Sequence, residues 1–219
     1  MTSAIAYQLR DDLYRRPLVT ALERLGDTEG MTSVDVGAGG GDVTVALAEI
    51  SGETGRVYAV DIDPIRRNEI AKRAANYSQV VALTQSVEEL TLPEKVDLAF
   101  ARFLLLNVYD PSKAIKRMIS VIKPGGWLVL QEAITSYGRV GTTPLKLDTD
   151  QVIDQDIGLR LLDLLPTNEI VVRDCWMESP IGKGNNEIST YLEAMTDVRT
   201  DEETIVLPPI VTVVARRKG

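Results

Sequence analysis

The chain has 219 residues, of which 44% are hydrophobic and 26% charged, and this composition indicates a globular protein large enough to bury one substantial core. A net charge of -8 disfavours a nucleic-acid polymer as a partner, because nucleic-acid binders usually need a basic face. No apolar run approaches the ~20 residues that span a bilayer, and acids and arginines interrupt residues 1–16, so we expect a cytoplasmic protein without a membrane partner.

Histidine and cysteine usage restricts the chemistry further. The sequence has no histidine, which excludes Ser-His-Asp hydrolysis and histidine-based zinc sites and removes the commonest general base. The single cysteine, Cys175, excludes an internal disulfide and a multi-cysteine metal site. Because Cys175 lies in the apolar run IVVRDCWM, we expect it to be a small core residue and not a nucleophile.

Helix-like and strand-like segments alternate through the first part of the chain. An amphipathic helix is predicted at 4–25 and is ended by Gly26. The next predicted strands are 34–36, 57–60, 80–84, 96–101 and 127–133, the helices are 42–50, 64–76 and one that starts after Asp110-Pro111, and 123–126 is a turn. Because helices separate most of these strands, the pattern predicts right-handed crossovers and a mostly parallel sheet covered on both faces.

Beyond residue 133 the pattern is less regular. The predicted elements there are a loop at 134–149, a helix from there to about Leu165, a strand at 169–177, a short helix near 187–195 and a strand at 210–215. The chain shows no internal repeat and no low-complexity tract. The sequence therefore predicts a single domain over residues 1–219 with two irregular inserts, 134–149 and 179–205.

The stretch SVDVGAGGGDVTVAL, residues 33–47, joins the first predicted strand to a helix through four glycines. Glycine permits positive φ and lets a ligand lie against bare backbone, and ligands of open parallel sheets collect at the carboxyl ends of the strands. The phosphate-binding pattern GxxxxGK[ST] is absent. The dinucleotide fingerprint GxGxxG needs a glycine where this chain has Asp42, and an acid there would repel a pyrophosphate.

The pattern that remains is DxGxGxG, formed by Asp35, Gly37, Gly39 and Gly41. It suits a ligand with a cationic end near Asp35 and no pyrophosphate, and S-adenosylmethionine fits that description. Asp61 ends the second strand 20 residues after Gly41, where a carboxylate accepts hydrogen bonds from both ribose hydroxyls. The alternative role, capping a helix, fits Asp63 better, because Asp63 directly precedes a proline.

Five segments, in order and at the expected spacing, resemble the class I S-adenosylmethionine-dependent methyltransferases of small-molecule type: VDVGAGGGDVTVALAE, VYAVDIDP, QSVEELTLP, VDLAFARFLLLNVYDP and IKPGGWLVL. The resemblance covers about residues 30–133 well and the remainder more weakly. It implies a Rossmann-like, doubly wound α/β fold, whose mostly parallel seven-stranded sheet has an antiparallel last strand. It also implies a cover helix within residues 1–29 and late inserts that close over a small-molecule acceptor.

The same resemblance implies which residues bind S-adenosylmethionine. The implied set is Gly37, Ala38, Gly39, Asp61, Ile62, Ser86, Val87 and Arg102, and the DxGxGxG pattern adds Asp35. The glycine loop and Arg102 are assigned to the methionine end, Asp61 to the ribose and Ile62 to the adenine face. At Ser86 the family usually has an acid that bonds to the adenine amino group; serine accepts that bond more weakly, and the backbone of Val87 would supply the other contact.

The sequence does not identify a catalytic residue. Methyl transfer is an in-line displacement in which positioning alone can supply ~7–11 kcal/mol, so some acceptors need no base. Candidate groups near the strand ends are Tyr109, Glu132 and Asn107, of which Asn107 would only orient the acceptor. Tyr109 would otherwise cover the start of a helix, and Glu132 would otherwise pair with Arg102. Tyr7 and Tyr14 on the first helix are also placed to lean over the site.

Motifs that are absent restrict the acceptor. The tetrapeptide [ND]PP[YFW], which resembles the signature of methyltransferases for exocyclic amines, is replaced by ARFLLL, and this disfavours adenine-N6 and glutamine-amide acceptors. No acids cluster after the fourth strand, so we expect no magnesium site. The leucines at 104–106 are expected to be core. The walls of the acceptor site are assigned to the two inserts, with cover by a second copy of the chain, in a homodimer, as the alternative.

Three functions remain in order of preference. The first is methyl transfer to a small organic acceptor. The second is binding of S-adenosylmethionine without methyl transfer, either in an enzyme for a cyclisation or rearrangement or in a non-catalytic partner. The third, a nicotinamide-dependent oxidoreductase, is disfavoured by Asp42 and by the glycine spacing.

Overall fold

The computed structural model describes residues 3–145, 152–184, 186–196 and 202–219, with side chains from residue 8 onward. The helices are α1 (Ser3–Leu13), α2 (Arg15–Glu23), α3 (Asp42–Ser51), α4 (Pro64–Arg73), α5 (Pro111–Val121) and α6 (Glu187–Met195). The strands are β1 (Thr32–Val36), β2 (Arg56–Asp61), β3 (Val80–Thr84), β4 (Val96–Arg102), β5 (Ile122–Ala133), β6 (Arg139–Val140), β7 (Thr143–Pro144), β8 (Ile170–Glu178), β9 (Ile181–Lys183), β10 (Thr204–Val206) and β11 (Ile210–Arg217). Among the described helices, none has the length and hydropathy of a membrane span.

A seven-stranded sheet in the order β3-β2-β1-β4-β5-β11-β8 forms the centre of the molecule. Strands β1 to β5 pair in parallel, whereas β11 runs antiparallel to both β5 and β8. The predicted fold, a mostly parallel seven-stranded sheet with an antiparallel last strand, is therefore confirmed. The strand order reverses between β1 and β4, so the loops after these strands diverge and leave a crevice at their carboxyl ends.

Helices cover both faces of this sheet, and α5 shows why the sequence forms them. Asp110 caps the helix by accepting a hydrogen bond from the Lys113 N–H at 2.9 Å, and Pro111 occupies the first helical position. Ile115, Met118 and Ile119, three and four residues apart, are all fully buried against the sheet. On the opposite face, α2 and α3 contribute a second apolar layer.

The N-terminal segment is two helices and not the single helix predicted at 4–25. The break falls at Tyr14, because Pro17 has no N–H to donate to the carbonyl of Leu13 and its ring crowds that carbonyl. In the first turn of α2 the same proline is tolerated. The buried Tyr14 hydroxyl donates a 2.7 Å hydrogen bond to the carbonyl of Pro208. This bond connects the junction between α1 and α2 to the segment that leads into β11.

Two other predictions in the second half of the chain are wrong. The helix expected up to Leu165 is only a short 3-10 turn at Ile157–Arg160 followed by further turns, and its beginning, before residue 152, lies outside the described residues. At Gly158 a Cβ atom would come within 2.9 Å of the carbonyls of Glu132 and Ala133, so this segment packs its backbone directly on β5. The turn expected at 123–126 is an irregularity within β5, where the pairing with β4 shifts register.

Cys175 is exposed, which corrects the prediction of a core residue. The run IVVRDCWM forms β8, and β8 is the outermost strand of the sheet, so it has a neighbour only in β11. Val171, Val172 and Met177 in the same strand are also exposed. The side chains of a strand are buried only where other elements cover the faces of the sheet, and this edge strand is not covered in that way. The sequence does not reveal strand order.

The two late inserts come together in a second, four-stranded sheet in the order β7-β6-β10-β9. Helix α6, predicted near 187–195, is confirmed; Asn186 caps it by accepting hydrogen bonds from the backbone N–H groups of Ile188 and Ser189. A separate apolar cluster joins this part of the chain to the N-terminal helices; its buried members are Tyr14, Leu145, Ile188, Tyr191, Leu192, Ile205, Leu207 and Ile210. The inserts therefore hold α1 in place.

Replacing Ile115 by alanine is expected to lower the free energy of unfolding by about 2–5 kcal/mol, because it leaves a cavity in the fully buried face of α5. Urea unfolding followed by circular dichroism measures the loss. The matched control is Lys116→Ala on the exposed face of the same helix, for which we expect a change within about 0.5 kcal/mol. Equal losses in both variants would contradict the assigned packing.

Candidate functional site

A cavity of about 340 Å³ opens at the carboxyl ends of β1, β2 and β4, next to the reversal of strand order. The predicted cofactor-binding residues that line it are Gly37, Gly39, Asp61, Ile62, Ser86, Val87 and Arg102. Asp35 and Ala38 do not line it. The structure thus brings residues from four separate sequence motifs to one site.

The glycine loop needs its glycines for two physical reasons. Gly37, Gly39 and Gly41 have φ values of 74°, 51° and 81°, a region that other residues rarely adopt. At Gly37 a Cβ atom would also lie 2.8 Å from the Leu104 side chain. The backbone N–H groups of Gly37 and Ala38 donate to the carbonyl of Val60 at 2.8 and 3.0 Å, so the loop folds over the end of β2.

Asp61 lies at that end of β2, and its carboxylate fixes the loop. One oxygen accepts the Gly39 N–H at 2.8 Å and the other accepts the Asp63 N–H at 2.9 Å. Each carboxylate oxygen has a second lone pair, so both oxygens can accept another hydrogen bond from a ligand in the cavity. Asp63 itself caps α4 by accepting the Ile65 N–H at 2.8 Å, as expected. The adjacent Ile62 is 70% exposed in the cavity wall, an apolar surface that a flat ring would cover.

Asp35 lies beneath the loop and does not reach the cavity, which corrects the expected direct contact with a cationic ligand. Its carboxylate is 1% exposed and accepts a 2.6 Å hydrogen bond from the Thr44 hydroxyl in the first turn of α3. Burial raises the pKa of Asp35 to about 7. Ala38 is buried on the far side of the loop against Ala59 and Ile70. Both residues therefore support the loop from below.

Arg102 enters the cavity wall at the end of β4 and forms an ion pair with Asp42. Burial lowers the pKa of Arg102 to about 10, which still leaves the guanidinium charged at neutral pH. The negative charge of Asp42 is therefore compensated within the protein. Asp42 therefore repels a pyrophosphate, and with it a dinucleotide, less strongly than the sequence alone suggests.

Glu132 does not pair with Arg102, which corrects another expectation. One of its carboxylate oxygens accepts the backbone N–H groups of Leu104 and Leu105 at 2.9 and 2.7 Å, and the other is buried without a hydrogen-bond partner. Burial raises the pKa of Glu132 to about 8. Glu132 does not line the cavity; its hydrogen bonds hold the turn after β4 in place.

That turn holds Phe103 in a strained conformation. Its φ is 54°, an unusual value for an aromatic residue, and its N–H donates to the carbonyl of Gln131 at 2.9 Å. The Phe103 ring lines the cavity, meets the ring of Tyr14 edge-on at 5.3 Å, and lies within 5.3 Å of the Arg10 guanidinium carbon. Backbone strain of this kind is typical of functional sites.

The remaining sequence candidates separate into two groups. Asn107 and Leu104 line the cavity, so the leucines at 104–106 are only partly core; Leu105 is fully buried. Tyr109 is 91% exposed and lies outside the cavity, and the side chain of Tyr7 is outside the described part of the chain.

The inserts also differ from expectation. No described residue of 134–149 or 179–205 lines this cavity. Residues 146–149, 185 and 197–201 lie outside the description, so the assignment of the acceptor walls to the inserts stays a prediction. The N-terminal helix contributes instead, through Arg10 and Asp11. The sequence marks only Tyr7 and Tyr14 of this segment as candidates. Charged residues on an amphipathic helix are usually solvated, so no local signal distinguishes Arg10 and Asp11.

Comparison with known proteins agrees with this geometry. The sequence profile described as a methyltransferase domain matches residues 34–130, from β1 to β5. The matched residues make up less than half of the chain. The match agrees with the predicted resemblance to S-adenosylmethionine-dependent methyltransferases and with the predicted cofactor.

Similar curated proteins match about half of the chain. A demethylmenaquinone methyltransferase from Bacillus licheniformis is 35% identical over 105 residues, which is 48% of this chain and 45% of that protein. A ubiquinone/menaquinone biosynthesis C-methyltransferase from Vibrio vulnificus is 34% identical over 112 residues, or 49% of this chain and 43% of that protein. The chain thus matches a little under half the length of these relatives.

Solved structures extend the similarity of the fold to nearly the whole chain. An S-adenosylmethionine-dependent methyltransferase from Aquifex aeolicus superimposes with a TM-score of 0.65 at 22% identity, covering 99% of this chain and 98% of that one. The N-methyltransferase NodS from Bradyrhizobium japonicum, in complex with S-adenosyl-L-homocysteine, gives a TM-score of 0.62 at 15% identity over 94% of this chain and 88% of that one. At these identities the likeness shows the fold alone.

The buried carboxyl of Glu132 makes stability depend on pH. The folded protein keeps a proton there that the unfolded chain releases, because burial raises the pKa from 4.5 to about 8. The free energy of unfolding is therefore expected to fall as the pH rises from 4.5 to 8, by ~1.4 kcal/mol for each pKa unit that is realised. Asp35 contributes a slope of the same sign.

Glu132→Gln keeps an oxygen for both backbone N–H groups and removes the titration, so we expect a shallower slope in this window. Urea unfolding at pH 5, 6, 7 and 8 measures it. The control is Glu23→Gln, which removes the same charge at an exposed position of α2 and should leave the slope unchanged. An unaltered slope in Glu132→Gln would rule out the assigned protonation.

Proposed function

We propose that this protein transfers a methyl group from S-adenosylmethionine to a small organic acceptor. The observation that carries the proposal is the arrangement of Asp61. Its carboxylate closes the glycine loop over the end of β2 and keeps lone pairs available to the cavity, as a ribose-binding acid must. The methyltransferase domain spans this site, from β1 to β5.

The residues of the cavity have separable roles in the proposed reaction. Asp61 would accept hydrogen bonds from the ribose hydroxyls, Ile62 would pack on the adenine, and the bare backbone at Gly37 and Gly39 would allow close approach of the methionine end. Bound S-adenosylmethionine would supply an electrophilic methyl group on its sulfonium. The Phe103 ring would exclude water beside it, so that positioning supplies much of the catalysis.

The groups around the cavity favour an acceptor that needs no strong base. The carboxylates among the described lining residues are Asp11, Asp61 and Glu88. Asp11 is engaged in ion pairs, Asp61 accepts backbone hydrogen bonds, and Glu88 is exposed to solvent, where a carboxylate is a weak base. Tyr109 and Glu132, the two bases proposed from the sequence, lie outside the cavity. An acidic phenol or enol ionises readily near neutral pH, whereas a protonated amine needs a base.

We infer that the acceptor belongs to the quinol or phenol class. The relatives named as demethylmenaquinone and ubiquinone/menaquinone methyltransferases support this class, although they match over less than half their length. The second function, a cyclisation or rearrangement without methyl transfer, stays a prediction from the sequence; the [4+2]-cyclase SpnF shares the fold with a TM-score of 0.65 at 19% identity. The cytoplasmic location and the homodimer stay predictions.

Calorimetric titration with S-adenosylmethionine and S-adenosylhomocysteine tests the cofactor site. Asp61→Ala is expected to weaken both affinities about 10- to 100-fold or more, because hydrogen bonds to a charged group contribute ~1.5–3 kcal/mol. Asp63→Asn, which removes the same charge two residues away and keeps a helix cap, should bind both ligands like the wild type. Equal affinities in wild type and Asp61→Ala would contradict the ribose assignment.

Methyl transfer is tested by mass spectrometry with two probe acceptors, and the cyclase alternative is tested with a polyene. With 1,4-dihydroxynaphthalene and S-adenosylmethionine we expect a product heavier by one methyl group, and with benzylamine we expect none. Methylation of benzylamine instead would replace the acceptor class while keeping the reaction. Binding of the cofactor without methylation of any probe, but with chemical conversion of a polyene acceptor, would favour the cyclase alternative.

A further inference from the structure

Helix α1 brings two adjacent, opposite charges into the wall of the cavity. Arg10 and Asp11 both line it, opposite the glycine loop at Gly39 and Gly40. The roles proposed above for the ribose and adenine sites use neither residue. Their presence needs an explanation, because charged side chains of a helix normally extend into solvent.

Asp11 is fixed in place by the parts of the protein that surround the cavity. It is 6% exposed, and its carboxylate contacts Arg73 of α4 at 3.1 Å and Arg102 of β4 at 3.8 Å. Arg73 also donates a 3.2 Å hydrogen bond to the carbonyl of Gly40. These contacts fasten α1 to the glycine loop and define the position of the acid.

Arg10 is held beside Asp11 and reaches the cavity. Its guanidinium contacts the Asp11 carboxylate at 3.2 Å and lies 5.3 Å from the centre of the Phe103 ring, while its side chain remains 30% exposed. Arg102, by contrast, is 3% exposed and is engaged with Asp42. Arg10 is thus more accessible than Arg102, the other arginine that both contacts Asp11 and lines the cavity.

The charges around this point offer a partner to each end of a zwitterionic ligand. Arg10, Arg73 and Arg102 are linked by ion pairs to Asp11 and Asp42. A carboxylate that entered here would meet the guanidinium of Arg10. An ammonium group would meet the Asp11 carboxylate immediately beside it. Arg–carboxylate hydrogen bonds are among the strongest that proteins form.

We propose that Arg10 and Asp11 bind the amino-acid end of the cofactor, with Arg10 holding its carboxylate and Asp11 its ammonium group. The proposal rests on the proposed function and adds a contact from outside the methyltransferase domain matched at 34–130. Binding of the cofactor would then join α1 to the glycine loop through the ligand itself. The N-terminal helix would act as part of the binding site and not only as its cover.

Two ligands that differ only at the amino-acid end test this assignment. S-Adenosylhomocysteine carries the zwitterion, whereas 5′-methylthioadenosine has a methyl group in its place and the same adenosine. In Arg10→Met we expect the affinity for S-adenosylhomocysteine to fall about 10- to 100-fold and the affinity for 5′-methylthioadenosine to stay unchanged. Arg10→Lys keeps the charge and should recover part of the loss. Calorimetry provides the dissociation constants, and thermal melts verify the fold of each variant.

Arg66→Met is the matched control, because Arg66 also lines the cavity but lies on α4, after Ile62. It removes the same charge, and any effect should be equal for the two ligands. Equal losses for both ligands in Arg10→Met would overturn the proposal, since Arg10 would then act only through the position of α1. No loss for either ligand would overturn it as well. If the wild type binds neither ligand, the proposed function itself is rejected.

Discussion

The hydrogen bond from the Gly39 N–H to the Asp61 carboxylate is the interaction on which the site depends. It joins the loop after β1 to the end of β2, two segments that the sequence separates by a helix. The loop can fold over β2 only because its glycines adopt positive φ, and the N–H group of Gly39 in turn holds one oxygen of the carboxylate in place. Loop shape and ligand chemistry are therefore determined by the same contact.

The sheet and the cofactor end of the site could be predicted from the sequence because their signals are local. Glycines between a strand and a helix, Asp61 at a strand end and Asp63 before a proline each indicate a role within a few residues. The alternation of helices and strands fixes the parallel part of the sheet for the same reason. The observed ends of these helices and strands differ from the predicted ones by a few residues, and the site residues remain at the strand ends where they were predicted.

The errors concern properties that depend on the assembled fold. Cys175 lies in an apolar run, but its exposure follows from the place of β8 at the edge of the sheet, and strand order is not a local property. Arg10 and Asp11 resemble solvated charges until the helix break at Tyr14 and the inserts place α1 against the glycine loop. Glu132 was expected to pair with Arg102, yet it accepts hydrogen bonds from the backbone N–H groups of a strained turn.

The apolar cluster around Tyr14 has a consequence for the order of folding. It joins residues near the start of the chain to Leu145, to α6 and to residues 205–210, so its contacts bridge most of the sequence. Contacts between such distant segments form slowly, because a long loop must close first. We therefore expect α1 to dock late, and the wall of the cavity that contains Arg10 and Asp11 would acquire its shape only then.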